Sequence, residues 1–284
     1  MTAQIVLCGP ASWNQLIVLD RLPEPTPHTQ FAEEAWKTIG GTSAGKALHL
    51  ASLEVPVTLH TALADDEPSN SIQRVLSTAG VSLAPVVSER TEQHVNLMTR
   101  GGERVSLYVA TPSSPSEAAV AQTAAALREA DVAVIDLCEL GARVLEQNPL
   151  RGIWTDLHDY DGASTFHEPF LRAAEVVFMN DDRTEDAFQL MSTVLAAGAR
   201  LAVCTQGKQG AVAMNSSGER FRVAAPQATV RDTNGAGDAF MAGFLAASLA
   251  GDTVQQALES AAEQARIAVE SPHLHPVVEA ALGA

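Results

Sequence analysis

Basic residues are scarce in this chain: 18 lysines and arginines stand against 34 aspartates and glutamates, a formal net charge of −16 over 284 residues. That field repels nucleic acid and anionic membrane, and it excludes both as expected partners. It repels ATP as well, so a nucleotide site here needs locally gathered positive potential or a metal ion. Cysteine is nearly absent. Cys8, Cys138 and Cys204 each sit at or near the end of an apolar run. An odd count without framework spacing predicts small buried side chains, no disulfide and a reducing, cytoplasmic setting. Aromatic residues make up 5%, too few to suggest an aromatic slot for a nucleobase. No apolar run approaches membrane-spanning length. The start, MTAQIVLCGP, has no basic n-region and too short an apolar run for a signal peptide. None is expected, so the sequon Asn215-Ser216-Ser217 reads as incidental. There are no internal repeats and no low-complexity tracts.

What is present is an alternation. Strand-like runs fall at Gln4–Cys8, Val57–Thr61, Val132–Leu137, Gly152–Thr155, Val176–Met179 and Leu201–Cys204. Helix-like runs lie between them, at Ala44–Leu53, Ser69–Ala79, Ser116–Glu129, Gly141–Glu146, Phe166–Ala173 and Glu185–Ala197. Short apolar runs joined by helix-length segments predict βαβ units and a mostly parallel sheet. Residues Gly237 to about Val269 read as two helices split at Gly251-Asp252. Two stretches break the rhythm. Residues 14–38 hold strand-like pieces around a Pro-rich turn, and residues 93–109 read as a hairpin turning at Gly101-Gly102. With no helix between their strands, they are expected to pair as a small separate sheet able to close over a ligand.

Three constellations carry possible chemistry. Gly40 to Ala47 (GGTSAGKA) is one residue from a phosphate-binding P-loop. That loop needs Ser or Thr after its Lys to ligate Mg²⁺, and Ala47 has no hydroxyl. Ala44, Ala47, Leu48 and Ala51 instead share one helix face, with Ser43 as the expected cap and Gly40-Gly41 as a side-chain-free approach to the helix. Leu157 to Glu168 matches four positions of a calcium loop, but Leu157 stands where the first ligand belongs. Asp156, His158, Asp159 and Asp161 nevertheless cluster just after a strand, where parallel sheets bind ligands. The third is VRDTNGAGDAFMAGFLAA, Val230 to Ala247. Gly235-Ala236-Gly237 runs into a helix whose Phe240, Gly243, Phe244 and Ala247 are apolar. Small residues at a helix N-terminus make an anion site. Asp238 beside it could take a proton from an attacking hydroxyl while the amides hold developing negative charge.

DTNGAGDAFMAGFL resembles the C-terminal signature of the ribokinase-like carbohydrate kinases, the PfkB family, and GGTSAGKALHLASL resembles the N-terminal one. The two lie in the family's order and spacing, and TALADD, the hairpin at 93–109 and CTQGKQGAVAM have counterparts too. The resemblance implies a doubly wound α/β unit spanning residues 1–284 with a small β-sheet lid formed by about 14–38 and 93–109. It implies transfer of the ATP γ-phosphate to a sugar hydroxyl with Mg²⁺. Asp238 is then the base, and Gly235, Ala236 and Gly237 form the anion hole. Gly40 and Gly41 serve the sugar, and Thr205, Gly207 and Gly210 line the ATP site. Asn14, Gly45, His94 and Asn96 fall to the substrate, with Trp13, His158 and Asp159 as further pocket candidates and lid packing as the other reading of Trp13. Asp232 matches a monovalent-cation ligand. Some members dimerise through the lid, so a homodimer is a further possibility.

Several positions depart from the family. Gly45 replaces an Asn, and Asn14 replaces an Asp common in sugar kinases. Both alter hydroxyl recognition and point away from ribose or fructose. The Asn-x-x-Glu motif of Mg²⁺ and phosphate handling reads Asn180-Asp181-Asp182-Arg183, so either Asp182 substitutes or Arg183 meets phosphate itself. ESPHLHP stands where a Gly-containing cation loop belongs, which argues against activation by K⁺ despite Asp232. The expected function is an ATP-dependent kinase of a sugar or sugar-like molecule. The alternatives are a nucleoside kinase, disfavoured by the few aromatics, and a non-catalytic relative, disfavoured by the intact GAGD.

Overall fold

Apolar runs of four to seven residues need cover on both faces, and the chain supplies it with helices. In the computed structural model, which describes residues 3–283, the chain begins β1 (Ile5–Cys8), β2 (Ser12–Leu19), β3 (Glu34–Gly40), α1 (Thr42–Ser52), β4 (Val57–Leu63), α2 (Glu67–Thr78) and β5 (Ser82–Val87). It continues through β6 (Glu92–Thr99), β7 (Arg104–Ala110), α3 (Glu117–Glu129), β8 (Val132–Ile135), α4 (Glu139–Gln147), β9 (Ile153–Asp156), α5 (Glu168–Ala173) and β10 (Ala174–Asn180). It closes with α6 (Ala187–Ala196), β11 (Leu201–Thr205), β12 (Ala211–Asn215), β13 (Arg220–Val223), α7 (Ala236–Leu249), α8 (Val254–Val269) and α9 (Val277–Leu282).

Nine strands form the large sheet, in the order β13-β12-β11-β10-β9-β8-β1-β4-β5. Pairing is parallel from β11 to β5 and antiparallel at β11–β12 and β12–β13. Strand β1 shows why the runs are continuously apolar: Ile5 and Leu7 face one core and Val6 and Cys8 the other. The first core takes side chains from α1, α2, α7, α8 and α9, the second from α3, α4, α5 and α6. Trp154, Phe178 and Phe244 meet within the first, with ring centroids 5.5–6.1 Å apart. Helix α7 is buried well beyond the expected single face, Asp238 to Leu245 without a break. It packs closely on α8, where a Cβ on Gly243 would lie 2.8 Å from Gln264 Cβ.

The two irregular stretches pair as expected, into a four-stranded sheet of order β3-β2-β6-β7. Each stretch is an antiparallel hairpin, and β2 joins β6 in parallel. The alternation did not announce β5, β12, β13 or α9. Pro85 disguises β5, which tolerates it as an edge strand. The three cysteines are free. No helix of the described residues is long and apolar enough to cross a membrane.

Phe244→Ala removes the ring that makes two of the three contacts of the aromatic cluster. It is expected to cost about 3–5 kcal/mol of stability, read as a lower urea midpoint at unchanged m-value. A loss under about 1 kcal/mol would show that the cluster is not tightly packed.

Candidate active site

The strand β3 ends in Gly40, and α1 starts after Gly41. Neither glycine is replaceable. A Cβ on Gly40 would strike Asn14 Nδ2 at 2.0 Å, and Gly41 has φ +94° with Pro10 O only 2.5 Å from where a Cβ would stand. Ser43 does not cap α1 as expected. Gly41 is the N-cap, and no side chain caps it. The Ser43 hydroxyl donates instead to Asp136 Oδ2 at 2.5 Å, which fastens α1 to the end of β8.

One turn further on, Lys46 is 1% exposed. Its Nζ lies 2.7 Å from Asp238 Oδ1, 3.2 Å from Asp136 Oδ2 and 3.5 Å from Asp156 Oδ2. Asp136 follows β8, Asp156 ends β9, and Asp238 stands in the first turn of α7. The topology thus delivers three carboxylates from three elements to one ammonium. Burial alone would lower the Lys46 pKa, but Asp136, Asp238 and Asp156 outweigh it and hold the lysine well above its ordinary value. Burial likewise pushes Asp156 up, yet His158 and Lys46 prevail and keep it below the usual range. At Asp238 burial wins over Lys46 and His158, and the pKa rises to about 6. One ammonium cannot balance three buried carboxylates, and Asp238 is the one that yields.

Gly45 makes this geometry possible. A Cβ there would sit 3.0 Å from both Cβ and Oδ2 of Asp238, so an Asn would displace the carboxylate. Gly45, expected at the substrate, does not line the cavity onto which Asp238 opens; its lack of a side chain makes room for Asp238.

Asp238 opens onto a cavity of about 350 Å³ between the small sheet and the carboxyl ends of the large-sheet strands. Asn14, His94, Asn96, Gly40, Gly41 and His158 line it, together with Thr38, Arg104, Ser106 and Tyr108. The Oδ1 of Asn14 is buried without a partner in the protein, which suits a ligand hydroxyl. His94 Nε2 is 2.9 Å from Glu92 Oε1, and its ring lies 3.9 Å from that of Tyr108. Trp13 belongs to the core, not the cavity. Asp159 also stays outside, 3.5 Å from Arg183 Nε.

The far wall is the segment Asp232–Gly237. Gly235 caps α7 with φ 79°, a left-handed conformation that suits glycine. A Cβ on Gly237 would meet nothing within 4 Å, and the residue lines the cavity. The first N–H groups of α7 have no intrahelical partner and sit at its positive end. Ala236 begins the helix but does not line the cavity. Asp232 accepts from the backbone N of Asn234 at 2.9 Å and from its Nδ2 at 2.8 Å, so its carboxylate organises this turn. Arg104 of β7 donates to Asn234 Oδ1, tying the small sheet to the same turn. The 271–276 loop is tied in as well. His273 Nδ1 meets Thr38 Oγ1 at 2.9 Å, and Leu274 O accepts from His49 Nε2 at 2.8 Å. Burial holds His49 neutral, with a pKa of about 3.

Asn180 and Thr205, at the ends of β10 and β11, line the cavity. Gly207 (φ 51°) and Gly210 (φ 98°) shape the turn beyond β11 without lining it, and Arg183 is mostly exposed, away from the lining. Leu157, at the first position of the calcium-loop pattern, is fully buried. Among the described residues, no group of three or more His, Cys, Asp and Glu side chains is set to hold a metal ion.

Sequence reasoning missed Lys46, Asp136 and the depth of Asp156. The available signal was an Asp at the end of each of two apolar strands (VAVID, IWTD); the lysine had been read only against the P-loop pattern.

Residues 170–280 match the pfkB family carbohydrate kinases. The chain is 29% identical to the acarbose 7(IV)-phosphotransferase of Actinoplanes sp., over 89% of this chain and 88% of that protein. It is 27% identical to the ATP-dependent ribose-1-phosphate kinase of Halopiger xanaduensis, over 91% and 89% respectively. Among solved structures, a microbiome-derived acarbose kinase superposes with a TM-score of 0.82 at 25% identity, covering 100% of both chains.

Lys46→Met leaves the three carboxylates without a counter-charge, an expected cost of about 3–5 kcal/mol at pH 7. A carboxyl whose folded pKa is raised weakens the fold above that pKa, and the penalty fades as pH falls toward its unfolded value. The deficit should therefore shrink between pH 7 and pH 5, as urea unfolding at both would show. An equal deficit at both would mean that Lys46 acts by packing alone.

Proposed function

The chain belongs to the pfkB family carbohydrate kinases, and from this we propose that it transfers the γ-phosphate of ATP to a hydroxyl of a sugar or sugar-like molecule held beneath the small sheet, with Asp238 as general base. One observation carries the assignment: Asp238 stands at the mouth of α7 on the cavity, beside the Gly235–Gly237 turn, with a pKa of about 6. A base with a pKa near the working pH combines correct protonation with driving force.

Asn14, Asn96 and His94 hold the acceptor from the small sheet, and His158 from the end of β9. Asp238 takes the hydroxyl proton as the oxygen attacks in line. The amides of Gly235 and Gly237 hold the charge that develops on the transferred group, while the Ala236 N–H is donated to Thr233 O and shapes the turn. The phosphates of ATP reach this point from the side of Asn180 and Thr205, with Gly207 and Gly210 shaping the nucleotide wall. The small sheet acts as a lid, and its Arg104–Asn234 contact couples closure to the phosphate turn. Mg²⁺ would enter as an ion carried by the nucleotide, since no group of three or more acidic, His or Cys side chains among the described residues is set to hold one alone. Asp181 and Asp182 beside Asn180 offer one or two carboxylates, in keeping with a cation that keeps its waters and the substrate phosphates. When bound, it neutralises phosphate charge. Arg183 is assigned to Asp159 and not to phosphate. We assign Asp232 to Asn234 and expect no dependence on K⁺. Three free cysteines support a cytoplasmic setting.

Strand β7 turns Arg104, Ser106 and Tyr108 to the cavity. Val105, Leu107 and Val109, on its other face, are 40–57% exposed. That apolar face supports a homodimer formed through the lid. Leu107→Glu should then shift the chain to monomer in light scattering; an unchanged mass would place any interface elsewhere.

Asp238→Asn is expected to lower kcat by about 10²–10⁴-fold in coupled ADP release, with KM for ATP little changed. A loss under tenfold would remove Asp238 as the base. The unprotonated form is the active one, so kcat/KM should rise with pH through about 6. In Lys46→Met this limb should move to higher pH, because the lysine holds the carboxyl pKa down.

A further inference from the structure

A second cavity, of about 320 Å³, opens beside the first and shares Pro10, Glu92 and Tyr108 with it. Thr111, after β7, and Leu137 and Glu139, at the start of α4, complete the walls the argument needs. None of Asn180, Thr205 or the 232–237 segment lines it. A molecule reaching from the first cavity past Glu92 and Tyr108 into the second would extend away from the phosphate-donating side, as the unreacted part of an acceptor must. The space equals that of a small-ligand site by itself. A single sugar ring held against Asp238 would leave it unfilled.

The charge on its walls narrows the ligand. No lysine or arginine lines the second cavity, whereas Glu92 and Glu139 do. Glu92 stands at the junction, with Oε1 engaged by His94. A phosphate or carboxylate there would face carboxylates without a counter-charge. Hydroxyls find acceptors, an amine finds a counter-ion, and the faces of Pro10, Leu137 and Tyr108 suit the apolar faces of sugar rings.

We infer that the acceptor is a glycoside of at least two linked rings, uncharged or amine-bearing, with its reacting ring on Asp238 and the remainder in the Thr111–Glu139 cavity. This rests on the kinase reading above.

The test is coupled ADP release with glucose, maltotriose, the pseudo-oligosaccharide acarbose and glucose 1-phosphate, in the wild type and in Thr111→Trp, which fills the second cavity. Calorimetric binding of the same sugars without ATP runs alongside, and melting of the variant checks that it folds. The expected result is kcat/KM at least tenfold higher for a multi-ring acceptor than for glucose, no use of glucose 1-phosphate, and collapse of that ratio in Thr111→Trp through KM. Glu139→Lys should weaken acarbose more than maltotriose. Equal use of one-ring and multi-ring acceptors, or a ratio untouched by Thr111→Trp, overturns the inference and leaves the kinase intact. ADP release with no sugar, joined to no binding of any, overturns the kinase reading and the inference with it.

Discussion

A single buried ammonium holds the catalytic end of this molecule together. Lys46 is reached by carboxylates from β8, β9 and α7, elements far apart in sequence that meet only because parallel strands all end at one edge of the sheet. Removing four charged groups from water is costly, and their mutual attraction recovers it only with close contacts. The contacts are close, and the Ser43 hydroxyl takes up more of the Asp136 charge. The balance is left short by design of composition: three carboxylates, one ammonium. Of the two carboxylates that line the cavity, Asp238 is the one whose pKa burial raises, to about 6, while Asp156 stays low. Gly45 follows from the same constraint, since any side chain there would press on Asp238.

The strong negative charge of the chain, met first as an obstacle to ATP, is handled locally. The positive end of α7 and Arg104 of the small sheet converge on the Gly235 turn. The small sheet is therefore more than a cover. It brings Asn14 from β2 and His94 and Asn96 from β6 to the cavity, and Arg104 from β7 to the Gly235 turn. The 271–276 loop binds the same sheet through His273 and Thr38, and its Leu274 lies against Gly235.

Much of this was legible beforehand. The alternation of apolar runs gave the parallel sheet, and the unpaired stretches gave the small one, because period and length are local properties. Asp238, Asn14, His94 and Asn96 were legible through motif and resemblance. What escaped depends on three-dimensional convergence. Lys46 looked like a failed P-loop residue, since nothing local tells a lysine that it will meet Asp136 and Asp156. Gly45 looked like a lost substrate contact because its role lies in a neighbour 193 positions on. Pro85 hid β5 for the opposite reason: a local breaker signal was overruled at a sheet edge, where no partner needs its N–H.

The central claim is that an uncompensated carboxyl in the Lys46 cluster, Asp238, titrates near neutrality. Carboxyl-selective ¹³C NMR across pH 4–8 reads this directly in protein labelled at aspartate. The account predicts one aspartate resonance with its midpoint near 6, absent in Asp238→Asn and displaced to higher pH in Lys46→Met. Aspartates that all titrate below pH 5, or a midpoint that Lys46→Met leaves in place, would contradict it.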